Sequence, residues 1–203
     1  MNDLTLAVEG DLDEDVLRVI LQHLKIGVVT VYGKRGKGDL DKRLQNFNAA
    51  ARYAPWLVLR DLDTDAECAA DLVKSKLSDP APYMLFRIAV HEIEAWLMAD
   101  RDSMAAFLGL PIARIPANPE SLIDPKAELI RLARKSPNRN IRCGLVPNLG
   151  SSARQGPGYA SALAGFAATT WRMESAARRS NSLARLIRRL RELKQQRFGT
   201  LKS

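Results

Sequence analysis

An α/β fold is what this chain of 203 residues predicts: a mostly parallel four-stranded sheet flanked by helices, followed by a helical C-terminal extension. Three observations carry that prediction. Four short apolar runs rich in β-formers recur, at residues 4–8, 26–32, 56–59 and 83–90. Segments with helical spacing separate them, and such strand–helix alternation favours a parallel sheet covered on both faces. Beyond residue 110 no further strand pattern recurs.

Taken in order, residues 4–8 form a buried strand, and the acids at 11–15 suit the first turn of a helix, where the dipole is positive. Val16, Leu17, Ile20, Leu21 and Leu24 continue that helix at three- and four-residue spacing. Residues 26–32 form the second strand. The stretch 33–38, Gly-Lys-Arg-Gly-Lys-Gly, reads as a flexible basic loop, and Asp39 can cap a helix running to about residue 53. The third strand, 56–59, leads into Arg-Asp-Leu-Asp-Thr-Asp at 60–65. A helix over 66–77 is stopped by Pro80 and Pro82. The fourth strand, 83–90, is followed by helices over 91–100 and 102–108. Three prolines mark 109–124 as a connection. Helices are expected at 125–135, 159–171 and 182–196, with 136–158 irregular. The domain reading is a core over 1–110 and an extension over 111–203.

Composition excludes several classes. Hydrophobic residues make up 46% of the chain, ordinary for a globular protein. No apolar run reaches the roughly 18–20 residues that span a bilayer. The N-terminus turns acidic where a signal peptide would be basic, so a cytoplasmic location and no membrane partner are expected. Cys68 and Cys143 are far apart, and the only histidines are His23 and His91, so a zinc site is not expected. The net charge of +8 is uneven: residues 171–203 hold ten Lys or Arg against Glu174 and Glu192. The chain reads as a balanced body with a basic arm.

The acids carry the chemistry. In an open parallel sheet, ligands sit beyond the carboxyl ends of the strands. Glu9 ends the first strand, with Asp13 four residues on, and Asp61 and Asp63 end the third. Alternate residues of an extended segment point the same way, so Asp61 and Asp63 can face one cation. Such oxygen donors suit Mg²⁺ or Mn²⁺. For any single acid, helix capping or solvation is the simpler role. Lys34, Arg35 and Lys37 lie at the same sheet edge and are read as phosphate contacts, against the plainer reading of a solvated loop. In the last helix, Leu183, Leu186, Ile187, Leu190 and Leu193 make one apolar stripe, leaving Arg185, Arg188 and Arg189 outside it for solvent or nucleic acid.

Val8-Glu9-Gly10 after an apolar strand, an acid four positions on and Asp61-Leu62-Asp63 at a strand end together resemble the Toprim pattern of topoisomerases, primases and overcoming-lysogenization-defect nucleases. The run Glu92-Ile-Glu-Ala-Trp-Leu-Met-Ala-Asp100, with Pro125-Lys126-Ala127, is similar to the DUF4276 group of small Toprim-like bacterial proteins. The resemblance covers residues 4–195. It implies a Toprim-like core with Glu9 as general acid/base or metal ligand. Asp13, Asp61, Asp63 and Glu94 would be metal ligands, and Lys126 a neutraliser of transition-state charge. Asp13 departs from the pattern, since a glutamate is common there and the shorter side chain reaches less far. The implied activity is Mg²⁺-dependent (or Mn²⁺-dependent) nuclease action on DNA or RNA in anti-phage or plasmid defence. The chain lacks an ATP-binding motif, so a separate ATPase partner is expected, and a homo-oligomer is compatible. The alternative is a non-catalytic Toprim-like subunit that binds nucleic acid or a partner ATPase.

Overall fold

The computed structural model describes residues 3–62, 68–89 and 92–198. They fall into two compact units. One contains the sheet, the helices between its strands and the last helix. The other is helical and occupies residues 92–181.

The sheet unit follows the order β1 (Asp3–Val8), α1 (Asp11–His23), β2 (Gly27–Gly33), α2 (Lys37–Ala50), β3 (Trp56–Asp61), α3 (Ala69–Lys76) and β4 (Met84–Ala89). All four strands are parallel, in the order β2-β1-β3-β4. The chain steps outward from β1 to β2, then crosses back over β1 to β3. Right-handed crossovers that run in opposite directions put their helices on opposite faces. Accordingly Ala7, Trp56, Val58, Met84, Phe86 and Ile88 share one core with Leu40, Leu44 and Phe47 of α2 and Leu72 of α3. The alternate residues Leu4, Leu6, Leu57 and Leu59 are buried on the other face, which is left to α1 with its buried Val16, Leu17, Ile20 and Leu21. The order reverses between β1 and β3, which makes their carboxyl ends the topological switch point.

The last helix, α10 (Asn181–Phe198), belongs with the sheet except for its first residue. Its stripe is as expected: Leu183, Leu186, Ile187, Leu190 and Leu193 are buried, while Arg185, Arg188 and Arg189 are exposed. Lys194 Nζ donates to the Leu24 carbonyl at 2.8 Å, tying α10 to the end of α1. Burial and the charges of Arg189 and Arg188 pull the Arg87 guanidinium on β4 below its usual pKa.

The helical unit contains α4 (Ile93–Ala99), α5 (Arg101–Leu108), α6 (Pro125–Ala133), α7 (Arg139–Leu145), α8 (Tyr159–Thr169) and α9 (Met173–Ala177). Trp96 and Tyr159 are fully buried in it. Asp100 is wholly buried between α4 and α5, where its carboxylate accepts the Arg172 backbone N–H at 2.9 Å and the guanidinium at 2.8 and 3.1 Å.

Three local expectations need correction. Helix α2 starts at Lys37 with Gly36 at its N-cap, so Asp39 lies inside the first turn instead of capping it. Gly36 has φ +77°, a conformation glycine adopts without cost. The stretch 136–158 is not irregular throughout: Asn138 accepts the Asn140 N–H at 2.9 Å and starts α7. Helix α9 falls in a stretch where no element was expected, and is only five residues long. No described helix is long and apolar enough to cross a membrane.

Candidate functional site

At the switch point the chain leaves β1 through Glu9 and enters α1 through Gly10. Glu9 Oε1 accepts the backbone N–H of Asp61 at 2.9 Å, joining the ends of β1 and β3 across 52 residues of sequence. Asp13 Oδ2 accepts the Gly10 N–H at 2.8 Å, as an acid at the third helical position does in a capping box. Asp13 is 7% exposed. Glu9, Asp13 and Asp61 therefore gather at one edge of the sheet, each engaged with the fold. Asp63 lies outside the described residues.

The loop after β2 completes this edge. Gly33 has φ +96°, and a Cβ there would meet the Val8 carbonyl oxygen at 2.1 Å. Only glycine allows that approach. The next residue, Lys34, also has positive φ, and its N–H donates to Val8 O at 2.9 Å. Its Nζ pairs with Glu14 and, at 3.1 Å, with Asp11 at the start of α1. Burial by itself would raise the Glu14 carboxyl, but hydrogen bonds from Lys34 and Arg18 outweigh it and hold it below the usual range. Asp15 is pushed up, first by burial and then by the charges of Glu14 and Asp11. Lys34, expected to meet phosphate, is thus occupied by two carboxylates of its own chain. Arg35 is exposed, and Lys37 opens α2 half-buried.

The helical unit contains the second cluster. Glu94, 2% exposed on α4, accepts the Tyr159 hydroxyl at 2.9 Å. Lys126 Nζ stands 3.5 Å from Glu94 Oε1 and 3.7 Å from Glu92 Oε1, and the Lys126 backbone N–H donates to Glu92 Oε2 at 2.8 Å. Burial and then the charge of Glu94 push the Glu92 carboxyl up. Burial and the same carboxylate push the Tyr159 phenol far above its ordinary value, so it stays a proton donor to Glu94. Glu94 and Lys126, expected separately as a metal ligand and as a neutraliser of transition-state charge, are brought together by the structure. It adds Glu92 and Tyr159, which sequence reasoning missed. The Glu-x-Glu spacing at 92–94 is a signal for the first. Nothing local marks Tyr159, which is 65 residues from its partner.

Of the basic residues on α10, Arg188 and Arg189 pair with Glu192 at 3.8 and 2.6 Å. Among the described residues there is no group of three His, Cys, Asp or Glu side chains that could hold a metal ion.

Fold and site together define an α/β chain with a doubly wound parallel sheet whose switch point is acidic. No family model matches the chain, and no characterised protein or solved structure matches it either.

Proposed function

We propose that the chain is a Mg²⁺-dependent (or Mn²⁺-dependent) nuclease of the Toprim-like kind, hydrolysing phosphodiester bonds of DNA or RNA. One observation carries this reading: Glu9 and Asp61 are joined at the switch point of an all-parallel sheet, where open α/β sheets bind their ligands.

The residue types fit the ion. Mg²⁺ is commonly held by only one or two carboxylates, with water and substrate phosphate completing its shell. Glu9 and Asp61 would hold it, with Asp13 beside them. A bound Mg²⁺ supplies Lewis-acid stabilisation of phosphoryl charge and lowers the pKa of water. The chain's own residues supply the rest. Asp61 N–H orients the Glu9 carboxylate, which in this reading serves either as a ligand of the ion or as the general acid/base. In the helical unit the Lys126 ammonium stands between Glu92 and Glu94, and a role in offsetting phosphate charge is what the resemblance implies for it. A separate ATPase partner and a role in anti-phage or plasmid defence follow from the resemblance.

A second reading, a non-catalytic subunit that binds nucleic acid or a partner ATPase, is favoured by one fact. Glu9 and Asp13 each accept a backbone N–H, as purely structural acids do.

The deciding experiment is cleavage of labelled single- and double-stranded DNA and RNA with Mg²⁺, Mn²⁺ or EDTA. Glu9→Gln and Asp61→Ala should lower metal-dependent cleavage by about 10²-fold or more, with circular dichroism unchanged. Wild-type rates in both variants would overturn the assignment of the site to Glu9 and Asp61, whereas a wild type with no metal-dependent cleavage would leave the non-catalytic reading standing.

A further inference from the structure

The helical unit holds a cleft of about 270 Å³ lined by Ala127, Ile130, Arg131, Arg134, Pro147 and Arg154. Residues 127, 130, 131 and 134 recur at the spacing of one helix face, along and just past α6. The opposite wall comes from the segment after α7. That segment is pinned where it returns: Gly156 N–H donates to Leu145 O at 2.9 Å and Gly158 N–H to Gly144 O at 3.0 Å. A Cβ on Gly156 would lie 2.2 Å from the Gly144 carbonyl oxygen, so the closure needs glycine. Arg154 sits two residues before that clamp.

The charge of this region is one-sided. Between residues 125 and 158 there are seven Lys or Arg and a single acid, Glu128. Glu128 is engaged by Arg131 through both carboxylate oxygens. Arg134 and Arg154 are exposed, and their guanidinium groups have no hydrogen-bond or ion-pair partner among the described residues. Two uncompensated guanidinium groups beside an apolar floor of Ile130 and Pro147 suit a ligand with both phosphate and a flat apolar face.

From this geometry we infer that the α6 cleft binds single-stranded nucleic acid, with phosphates on Arg134 and Arg154 and a base over Ile130 and Pro147. Guanidinium groups meet phosphate oxygens in a matching planar fork. Single-strand sites combine a basic groove that tracks the backbone with platforms on which bases stack, usually aromatic; here the apolar surface comes from Pro147 beside the buried Ile130. A duplex keeps its bases inside the stack and offers the floor nothing, and the cleft lies near the roughly 300 Å³ lower end of small-ligand sites. The inference deepens the proposed function by naming the form of its substrate, and it rests on that reading for the choice of polyanion.

The test is fluorescence anisotropy with a labelled oligothymidylate about 12 nucleotides long, in EDTA, so that binding is read without cleavage. Arg134→Glu with Arg154→Glu should weaken binding at least tenfold and flatten the log–log salt slope by about 0.7 for each phosphate that is no longer neutralised. The double lysine variant should keep most of the slope, because charge is retained. Unchanged affinity in the glutamate variant overturns the inference, as does an equal loss of affinity for a duplex that binds the wild type equally well. Metal-dependent cleavage is measured separately: an inactive wild type that still loses oligothymidylate binding in the variant would sink the nuclease reading and leave the cleft assignment standing.

Discussion

The two carboxylate clusters are built differently. At the end of the sheet, Glu9 and Asp13 are held by backbone N–H groups, Glu9 is half-buried, and the residues that set their positions are strand ends and a helix start. In the helical unit, Glu94 is almost fully buried and held by side chains from distant elements, the Tyr159 hydroxyl and the Lys126 ammonium. Around half-buried Glu9 the first arrangement tolerates change, because an amide near a surface can turn to water, while Asp13, at 7% exposure, has less of that freedom. The second arrangement does not tolerate change, because removing one partner strands the others where water cannot replace it. An acid of the first kind is free to be chosen for chemistry, while one of the second kind also carries fold stability.

This contrast breaks if the same truncation costs the same in both places. Glu94→Ala leaves the Tyr159 hydroxyl without its acceptor in a fully buried site and removes the nearest carboxylate oxygen from Lys126. It should destabilise the protein by about 3 kcal/mol. Glu9→Ala removes the acceptor of the Asp61 N–H at a half-buried position and should cost about 1 kcal/mol. Urea midpoints for the two variants decide it, and equal losses would mean that the strand-end cluster is as structural as the buried one.

A smaller effect sharpens the sheet side of the comparison. Asp13 caps the first turn of α1 through the Gly10 N–H, so Asp13→Ala should cost about 1 kcal/mol, as cap losses do. If capping is its whole role, Asp13→Asn should recover most of that stability and leave Mg²⁺-dependent cleavage unchanged. A variant with restored stability and lost cleavage would instead place Asp13 among the groups that serve the metal.

The same difference explains what was legible in the sequence. Each strand of the parallel sheet is a compact apolar run bounded by Gly, Pro or acids, so its period and length speak locally. The α10 stripe was legible for the same reason, since five buried residues recur at helical spacing. The strand-end acids were visible because position along a strand decides which end of a parallel sheet they reach. Pairing was not visible. Lys34 read as a free basic residue, yet positive φ at Gly33 and Lys34 turns it onto Glu14 and Asp11. Tyr159 carried no signal beyond opening an expected helix, and its hydroxyl partner Glu94 is 65 residues away on α4. The α6 cleft was hidden by averaging: the first 170 residues are neutral together, and the basic stretch after residue 124 cancels against acids before it.

The smallest expected effect concerns acid sensitivity, where the two units should agree in sign. Burial by itself would raise Asp100, but hydrogen bonds from Arg172 and Ser103 outweigh it and hold its carboxyl below the ordinary value. Asp41, in the sheet unit, is held low in the same way, burial opposing it and Arg60 and Lys76 prevailing. A carboxyl that is more acidic in the folded state binds fewer protons there than in the unfolded chain. Its stabilisation is therefore complete above the unfolded pKa of about 3.9 and is lost as pH falls through the lower folded value. Asp100→Asn removes that contribution, so the variant should be less stable than wild type at pH 7. The gap should narrow as pH falls below about 4, where the wild-type carboxyl takes up its proton. Urea unfolding of both proteins between about pH 7 and about pH 2.5 measures the gap. A difference that stays constant down to the lowest pH would show that Asp100 acts through shape and neutral hydrogen bonds, and that its charge, unlike the Arg172 geometry around it, contributes nothing.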